Sequence, residues 1–355
     1  PQLPEDAGSR PSRGSGGPAA GHPGSGMKVL IVKTSSMGDV IHTFPAVEDA
    51  RFHRPDLTFD WCVEEAFAGI AALHPAIERI HTVAIRRWRK ALLDGATWHE
   101  AAALRRTLRD CRYDLVIDAQ GLLKSALVAR QAGAPIAGFD RSSAREPSAT
   151  LFYDATYPVP RDLHAIERTR RLFGLALGYQ PDLSTLDSGI VPPVGTLAGI
   201  AGKTAFLLHG TSREDKKWPA EDWIETARLL IERGITPVTT WSNEREKAVA
   251  EAIAKAVPST VVVPKSPLAD IAEFIGRSEL VIGADTGLTH LASAFGLPTV
   301  AVFLATEPGL TGPRGQYAST LLAVPGKRVM PAEVVAEAER LAGLQVLGKA
   351  NAGKN

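Results

Sequence analysis

Cysteine is almost missing from this chain: Cys62 and Cys111 are the two among 355 residues. Two cysteines cannot build a disulfide framework, and these have no metal-ligand spacing, so they read as packing residues of a protein from a reducing compartment. No apolar run reaches the roughly 18 to 20 residues that cross a bilayer, which excludes a membrane-spanning helix. Charge is in balance, 40 Lys plus Arg against 39 Asp plus Glu for a net +1, and that balance gives no reason to expect nucleic acid as the main partner. No GxGxxG fingerprint follows the first strand, which leaves a nicotinamide dinucleotide unsupported. Residues 1–26 combine Gly, Pro and Ser with scattered charges and have no apolar centre. They are neither a signal peptide nor core, and are expected to form a disordered extension ahead of Met27.

What remains has an ordinary globular composition, 45% apolar and 22% charged, at a length that favours two domains. From Met27 short β-branched runs alternate with longer helical patterns, the signature of parallel sheets flanked by helices. Strands are expected in the first half at 28–33, 58–63, 79–83, 115–118 and 135–138, with helices over 101–108 and 125–132. A stretch poor in pattern from Gly178 to Gly202, with Pro181, Pro192 and Pro193, reads as a linker. Beyond it strands are expected at 204–209, 236–241, 260–263, 280–284 and 299–303, with helices at 221–233, 244–256, 268–277 and 289–295. Asp114-Leu-Val-Ile-Asp-Ala-Gln-Gly-Leu-Leu echoes Glu279-Leu-Val-Ile-Gly-Ala-Asp-Thr-Gly-Leu, which suggests two similar α/β units. A helix over 331–342 closes the fold, and the last residues look frayed.

In such sheets ligands collect outside the carboxyl ends of the strands, so the loops there carry the candidates. The first reads Thr34-Ser-Ser-Met-Gly-Asp39-Val-Ile-His42, with hydroxyls at Thr34, Ser35 and Ser36, a flexible Gly38 and the carboxylate of Asp39. Asp39 either caps the next helix or serves as a general base toward a sugar hydroxyl. In the second loop Thr211, Ser212 and Lys216 either cradle a diphosphate or form a solvated charged turn before a helix. The third runs from 280–284 into Asp285, Thr286 and Gly287, with His290 in the first turn of the next helix. Thr286 and that helix N-terminus offer donors, and Gly287 permits close approach to a phosphate; the plainer roles are a cap and a core histidine. Glu244 suits two vicinal ribose hydroxyls, with Glu246 competing, unless it merely faces the helix dipole. Arg86-Arg-Trp-Arg-Lys90 is either solvated surface or a patch for a phosphorylated or carboxylated acceptor, or for an anionic membrane.

Together the segments Met27-Lys-Val-Leu-Ile-Val-Lys-Thr-Ser-Ser-Met-Gly-Asp-Val-Ile-His42, Ala84-Ile-Arg-Arg-Trp-Arg-Lys90, Asp118-Ala-Gln-Gly-Leu122, Ala144-Arg-Glu-Pro147 and Asp285-Thr-Gly-Leu-Thr-His290 resemble the ADP-heptose:lipopolysaccharide heptosyltransferases. The resemblance covers Met27 to about Ala342. Asp-Thr-Gly-Leu-x-His is shared across that family. The Lys-Thr-Ser-Ser-Met-Gly-Asp opening and the Ile-Arg-Arg-Trp-Arg-Lys block point to the members that add the first heptose.

The resemblance implies an α/β fold of the GT-B type, two Rossmann-like doubly wound domains facing across a cleft. Its parts would be an acceptor-binding domain over 27–190, an ADP-heptose-binding domain over 191–330, a helix over 331–343 returning to the first domain, and a flexible tail over 344–355. It implies inverting transfer of L-glycero-D-manno-heptose from ADP-heptose to the first Kdo of Kdo2-lipid A. A later-step heptosyltransferase and a sugar-nucleotide epimerase of similar fold are the rival readings. By the same match Asp39 is the catalytic base. Ser36, Thr211, Ser212, Lys216, Glu244, Asp285, Thr286, Gly287 and His290 bind the donor, and Arg86, Arg87, Lys90 and Arg145 bind the acceptor. No metal and no cofactor are implied, so cations of the protein itself stabilise the departing ADP. The expectation is completed by a cytoplasmic monomer that touches the inner face of an anionic membrane peripherally.

Overall fold

The computed structural model describes residues 26–194, 200–211 and 213–352, with 347–352 as backbone alone. All of the expected extension except Gly26 lies outside the described residues, and so does Ser212. The first half runs β1 (Lys28–Val32), α1 (Met37–Ile41), α2 (Phe44–His53), β2 (Thr58–Glu64), α3 (Ala68–Ala71), β3 (Ile77–Val83), α4 (Ile85–Trp88), α5 (Gly95–Asp110), β4 (Leu115–Asp118), α6 (Leu123–Ala129), β5 (Ile136–Phe139), β6 (Ala155–Tyr157) and α7 (Ala165–Leu177). The second runs β7 (Thr204–Leu208), α8 (Ala220–Glu232), β8 (Thr236–Thr239), α9 (Glu244–Ala256), β9 (Val261–Val262), α10 (Leu268–Gly276), β10 (Leu280–Ala284), α11 (Gly287–Ala294), β11 (Thr299–Phe303), α12 (Pro308–Thr311), β12 (Ala318–Leu322) and α13 (Pro331–Ala352).

Each half forms one sheet, β3-β2-β1-β4-β5-β6 and β9-β8-β7-β10-β11-β12, so the two domains repeat the same doubly wound strand order. The ladders of both sheets are parallel. Central strands such as β4, β7, β10 and β11 are buried along their whole length, as parallel strands covered by helices on both faces must be. The sequence echo falls on β4 and β10, the fourth strand of each domain. From Gly178 to Lys203 the described residues form no helix or strand. Gly178 ends α7 in the left-handed region at φ 78°, where a side chain is strained.

Two outer strands and several helices, α2 and α7 the longest of them, go beyond the sequence expectation. β6 and β12 are short and only half-buried, so no run of apolar residues marks them, and α7 is likewise unanticipated. The closing helix departs from expectation in both its partner and its length. Instead of returning to the first domain, α13 lies on α8, β10, β11 and β12. Its buried stripe of Val334, Val335, Ala338 and Leu341 joins the core of the second sheet, which satisfies that face where it stands. The backbone stays helical to Ala352, and Gln345 Nε2 donates to the Gly296 carbonyl at 2.8 Å, so the expected frayed tail is helix for most of its length.

Cys62 is buried, as expected of a packing residue. Cys111 belongs to a polar knot in which the Tyr113 hydroxyl donates to Asp60 at 2.6 Å and meets His81 Nε2 at 2.7 Å, while Arg79 approaches the Cys111 sulfur at 3.7 Å. No helix among the described residues is long and apolar enough to cross a membrane.

If α13 belongs to the second core, Leu341→Ala, which empties a site 2% exposed, destabilises the protein by about 2–5 kcal/mol. Urea unfolding followed by circular dichroism measures this, and a change below about 0.5 kcal/mol is the mark of a surface residue.

Candidate active site

Two loops meet at the switch point of the first sheet, one after β1 and one after β4. Gln120 clasps the first loop: its Oε1 accepts from the Thr34 N–H at 2.7 Å and the Thr34 hydroxyl at 2.8 Å, and its Nε2 donates to the Ser35 carbonyl at 2.7 Å. Asp118 in turn holds its own loop by accepting from the Gln120 N–H at 2.9 Å, the Ser125 hydroxyl at 2.9 Å and the Tyr153 hydroxyl at 2.7 Å. Burial pushes the Asp118 carboxyl up, and those donors oppose it.

So fixed, the loop delivers Asp39 to the third position of α1. Its carboxylate accepts from the Ser36 N–H at 2.9 Å and the Ser36 hydroxyl at 3.2 Å, which is the capping arrangement of the plainer reading. The same carboxylate faces Lys33 at 3.9 Å and Arg145 at 3.8 Å. Burial raises its pKa, but the Lys33 ammonium, the Ser36 hydrogen bond and Arg145 outweigh burial and hold it below the ordinary 3.8. Lys33 is itself buried and donates to the Ala119 carbonyl at 2.9 Å. Asp39 is therefore an ionised carboxylate over a fixed cation.

Across the seam, the loop after β10 presents Asp285. Its Oδ2 accepts from Lys216 and from the Thr306 hydroxyl, each at 2.6 Å, and its Oδ1 lies 3.9 Å from His290 Nε2. Burial pushes this carboxyl up, yet His290, Lys216 and Thr306 together drive its pKa far down. The Thr211 hydroxyl reaches the Asp285 carbonyl at 3.3 Å. Thr211, Lys216 and Asp285 thus converge, while Ser212 lies outside the described residues. Beside them opens a cavity of about 580 Å³ lined by Thr211, Lys217, Asn243, Glu244, Glu246 and Thr286, among others. Glu246 is engaged there, accepting from the Ser242 N–H and hydroxyl at 2.7 Å each. Glu244 sits at the first position of α9 on the same cavity.

The two halves touch through α1 and α11. A Cβ on Gly287 would lie 2.5 Å from the Met37 sulfur, so the missing side chain lets α1 of the first domain approach α11 of the second. His290 is buried, with its Nδ1 3.3 Å from His42 Nε2. The His42 ring meets that of His164 at 5.5 Å, and His164 Nε2 reaches the Gly312 carbonyl at 2.9 Å. Burial, His290, His164, Lys33 and Arg314 put His42 well below 6.5. Burial is also the main cause that lowers His164 to about 4. Both rings are neutral at pH 7.

The expected acceptor residues divide. Arg145 stands beside Asp39. Arg87 is turned away into ion pairs with Glu65 at 3.3 Å and Glu100 at 2.9 Å. Arg86 lies over the Phe67 ring at 5.6 Å, and Lys90 is exposed. Site residues absent from the sequence reading include Lys33, Gln120, His42, His164, Thr306 and Lys124, whose ammonium reaches the Ser35 hydroxyl at 3.3 Å. Lys33, Gln120 and His42 stand inside the motifs quoted above, whereas Thr306 carries no local signal.

Comparison with known proteins shows the family and the fold. The family profile "Glycosyltransferase family 9 (heptosyltransferase)" matches residues 101–330. Lipopolysaccharide heptosyltransferase 1 of Pseudomonas aeruginosa is 45% identical over 291 residues, 82% of this chain and 82% of that protein. The protein of the same name from Escherichia coli K12 is 44% identical over 292 residues, 82% of this chain and 92% of its own length. The solved structure of E. coli heptosyltransferase WaaC with ADP superposes with a TM-score of 0.83 at 40% identity, covering 89% of this chain and 100% of that one.

Two titrations follow from the electrostatics. Lys33→Met removes the cation closest in effect to Asp39, so burial then dominates and the Asp39 carboxyl, read by carbon NMR, titrates at higher pH than in the parent; an unmoved titration dismisses the pairing. For the histidines the folded pKa values lie below the unfolded 6.5. Their contribution to stability is complete above pH 6.5 and declines as pH falls toward about 4. Urea midpoints at pH 7.5 and 5 should differ accordingly, by less in His164→Asn.

Proposed function

We propose, from the premise that this chain belongs to glycosyltransferase family 9, the heptosyltransferases, that it moves L-glycero-D-manno-heptose from ADP-heptose to the first Kdo of Kdo2-lipid A with inversion. It is a heptosyltransferase of lipopolysaccharide core biosynthesis, and ADP-heptose is its donor. The observation that supports the finer reading is the seam itself. An ionised carboxylate on the first domain lies on the same short helix as Met37, which His42 follows, and both of these touch the helix behind Asp285 on the second.

In this reading Asp39 accepts the proton of the attacking Kdo hydroxyl. Lys33 and Arg145 make it a weak base in the free protein. Once the acceptor carboxylate takes Arg145, that cation's pull on Asp39 weakens, and proton affinity rises where the bond forms. On the donor side Lys216 exchanges Asp285 for the diphosphate, whose charge grows as the sugar becomes oxocarbenium-like. Thr211, Thr286 and the N–H groups opening α11 add donors. Ser212, next to Thr211 in the chain, is proposed for the same diphosphate. Glu244 is the carboxylate for the ribose, since Glu246 is already held by Ser242. Arg86, Arg87 and Lys90 collect the phosphates and carboxylates of the acceptor, with Arg87 leaving Glu100 to do so. Work at the cytoplasmic face of the inner membrane suits a lipid acceptor.

The test is ADP release from ADP-heptose with and without Kdo2-lipid A, with the acceptor followed by mass. Release that requires acceptor, with a gain of one heptose, is the expected result; transfer only to an already heptosylated core assigns a later step, and donor conversion without acceptor assigns an epimerase. Asp39→Asn should lower kcat by about 10²–10⁴ with donor affinity unchanged, and near-normal turnover removes Asp39 from the role of base.

A further inference from the structure

The connection between α4 and α5, together with the first turn of α5, holds apolar side chains out in solvent. Leu93 is 103% exposed, Trp98 60% and Leu92 55%. Hydrogen bonds fix them there. The Asp94 N–H bonds the Ala91 carbonyl at 3.0 Å, and the Thr97 N–H bonds that of Asp94 at 3.2 Å. The Trp98 indole donates to the Leu92 carbonyl at 2.9 Å, and the Asp94 side chain caps α5 through the Ala96 N–H at 2.9 Å. The base of the loop is pinned as well, by Trp88 Nε1 on Glu100 at 2.8 Å and the Arg86 N–H on Glu64 at 3.0 Å.

A single exposed leucine on a surface is ordinary, but a fixed group of two leucines and a tryptophan calls for a covering partner. Its neighbours say which. Arg89 and Lys90 are exposed cations one turn away, and the nearby acid Asp94 is occupied by its cap. Leucine and tryptophan at a tip flanked by Lys and Arg is the chemistry of an anchor lying in the headgroup layer of an anionic bilayer. The loop also belongs to the sheet edge that carries Asp39. Glu64, which holds Arg86, donates its own N–H to the Thr34 carbonyl at 3.0 Å.

We propose that Leu92, Leu93 and Trp98 form a wedge that enters the interface of an anionic phospholipid bilayer, with Arg89 on the headgroups and Lys90 beside it there until an acceptor engages it. The wedge rests on the heptosyltransferase reading in one respect: an acceptor held in a bilayer has to raise its sugar to Asp39, and the wedge lies along the same edge. Its cations are exposed, so the association weakens with salt.

Co-sedimentation of the full chain with vesicles of phosphatidylethanolamine and phosphatidylglycerol, free of any acceptor, tests the wedge. Binding should exceed that to phosphatidylcholine vesicles by about tenfold, and the double variant Leu92→Ser, Leu93→Ser should lose about tenfold or more of it. The same variant should keep parental turnover on a deacylated, water-soluble acceptor, which also shows that it folds. Equal vesicle binding by parent and variant, or none by the parent, overturns the wedge. So does a parental dimer that the variant converts to monomer in analytical ultracentrifugation, because the face then belongs to a second copy. Vesicle binding needs no catalysis: absent transfer with intact binding strikes the heptosyltransferase reading alone, and transfer without binding strikes the wedge alone.

Discussion

Everything at the centre of this protein depends on how closely α1 approaches α11. Gly287 has no side chain, so Met37 fills the space in front of it, and the buried rings of His42 and His290 come within 3.3 Å. That contact joins helices that each follow a strand at the switch point of their own sheet. Whatever α1 carries is thereby registered against whatever α11 carries. Asp39 stands one helical turn before His42, and Asp285 stands just ahead of α11 with His290 near it. A neutral His42 suits such a joint, because a charge on its buried ring would be costly beside Lys33 and Arg314. The third ring, His164, extends the joint to the Gly312 carbonyl, so the seam is held from more than one element.

Charge in the chain is nearly balanced, but its placement is not. Each site carboxylate is held by a cation delivered from a neighbouring loop or strand: Lys33 beneath Asp39, Lys216 against Asp285. A buried carboxylate without such a partner takes up a proton instead of staying ionised. Asp118 illustrates the alternative. It has hydroxyl and backbone donors in place of a full positive charge, and its pKa moves up where those of Asp39 and Asp285 move down. The difference separates a carboxylate that positions Gln120 from carboxylates suited to meet a proton or a cation.

The sequence makes the central strands legible because they are buried on both faces and read as unbroken apolar runs, and the echo between 114–123 and 279–288 falls on equivalent strands. The outer strands β6 and β12 escape because half-buried residues leave no such run. The destination of α13 escapes for another reason: an apolar stripe says that a helix packs, not on which domain. Among site residues, Asp39, Lys216 and Asp285 are readable because each stands a few residues beyond the end of a strand. Lys33 opens the quoted Lys-Thr-Ser-Ser-Met-Gly-Asp motif just past β1, but nothing local distinguishes a buried ammonium from a solvated one. Thr306 is brought to Asp285 only by the tertiary fold. The pairing of Arg87 with Glu100 joins residues on different elements in the same way.

The cations therefore fall into groups with different physics. Lys33 and Lys216 are enclosed, with partners already in place, so their interactions are screened little by salt and their desolvation is met during folding. Arg89 and Lys90 stay hydrated until something anionic arrives, and pairs formed at such exposed positions are individually weak and salt-sensitive. Chemistry at a reacting bond needs preorganised charge, whereas docking on a surface that must later be left needs many weak and reversible contacts. Enclosed cations at the seam and exposed ones on the rim keep these two demands apart, so salt acts on the exposed pairs and leaves the electrostatics around Asp39 nearly unchanged.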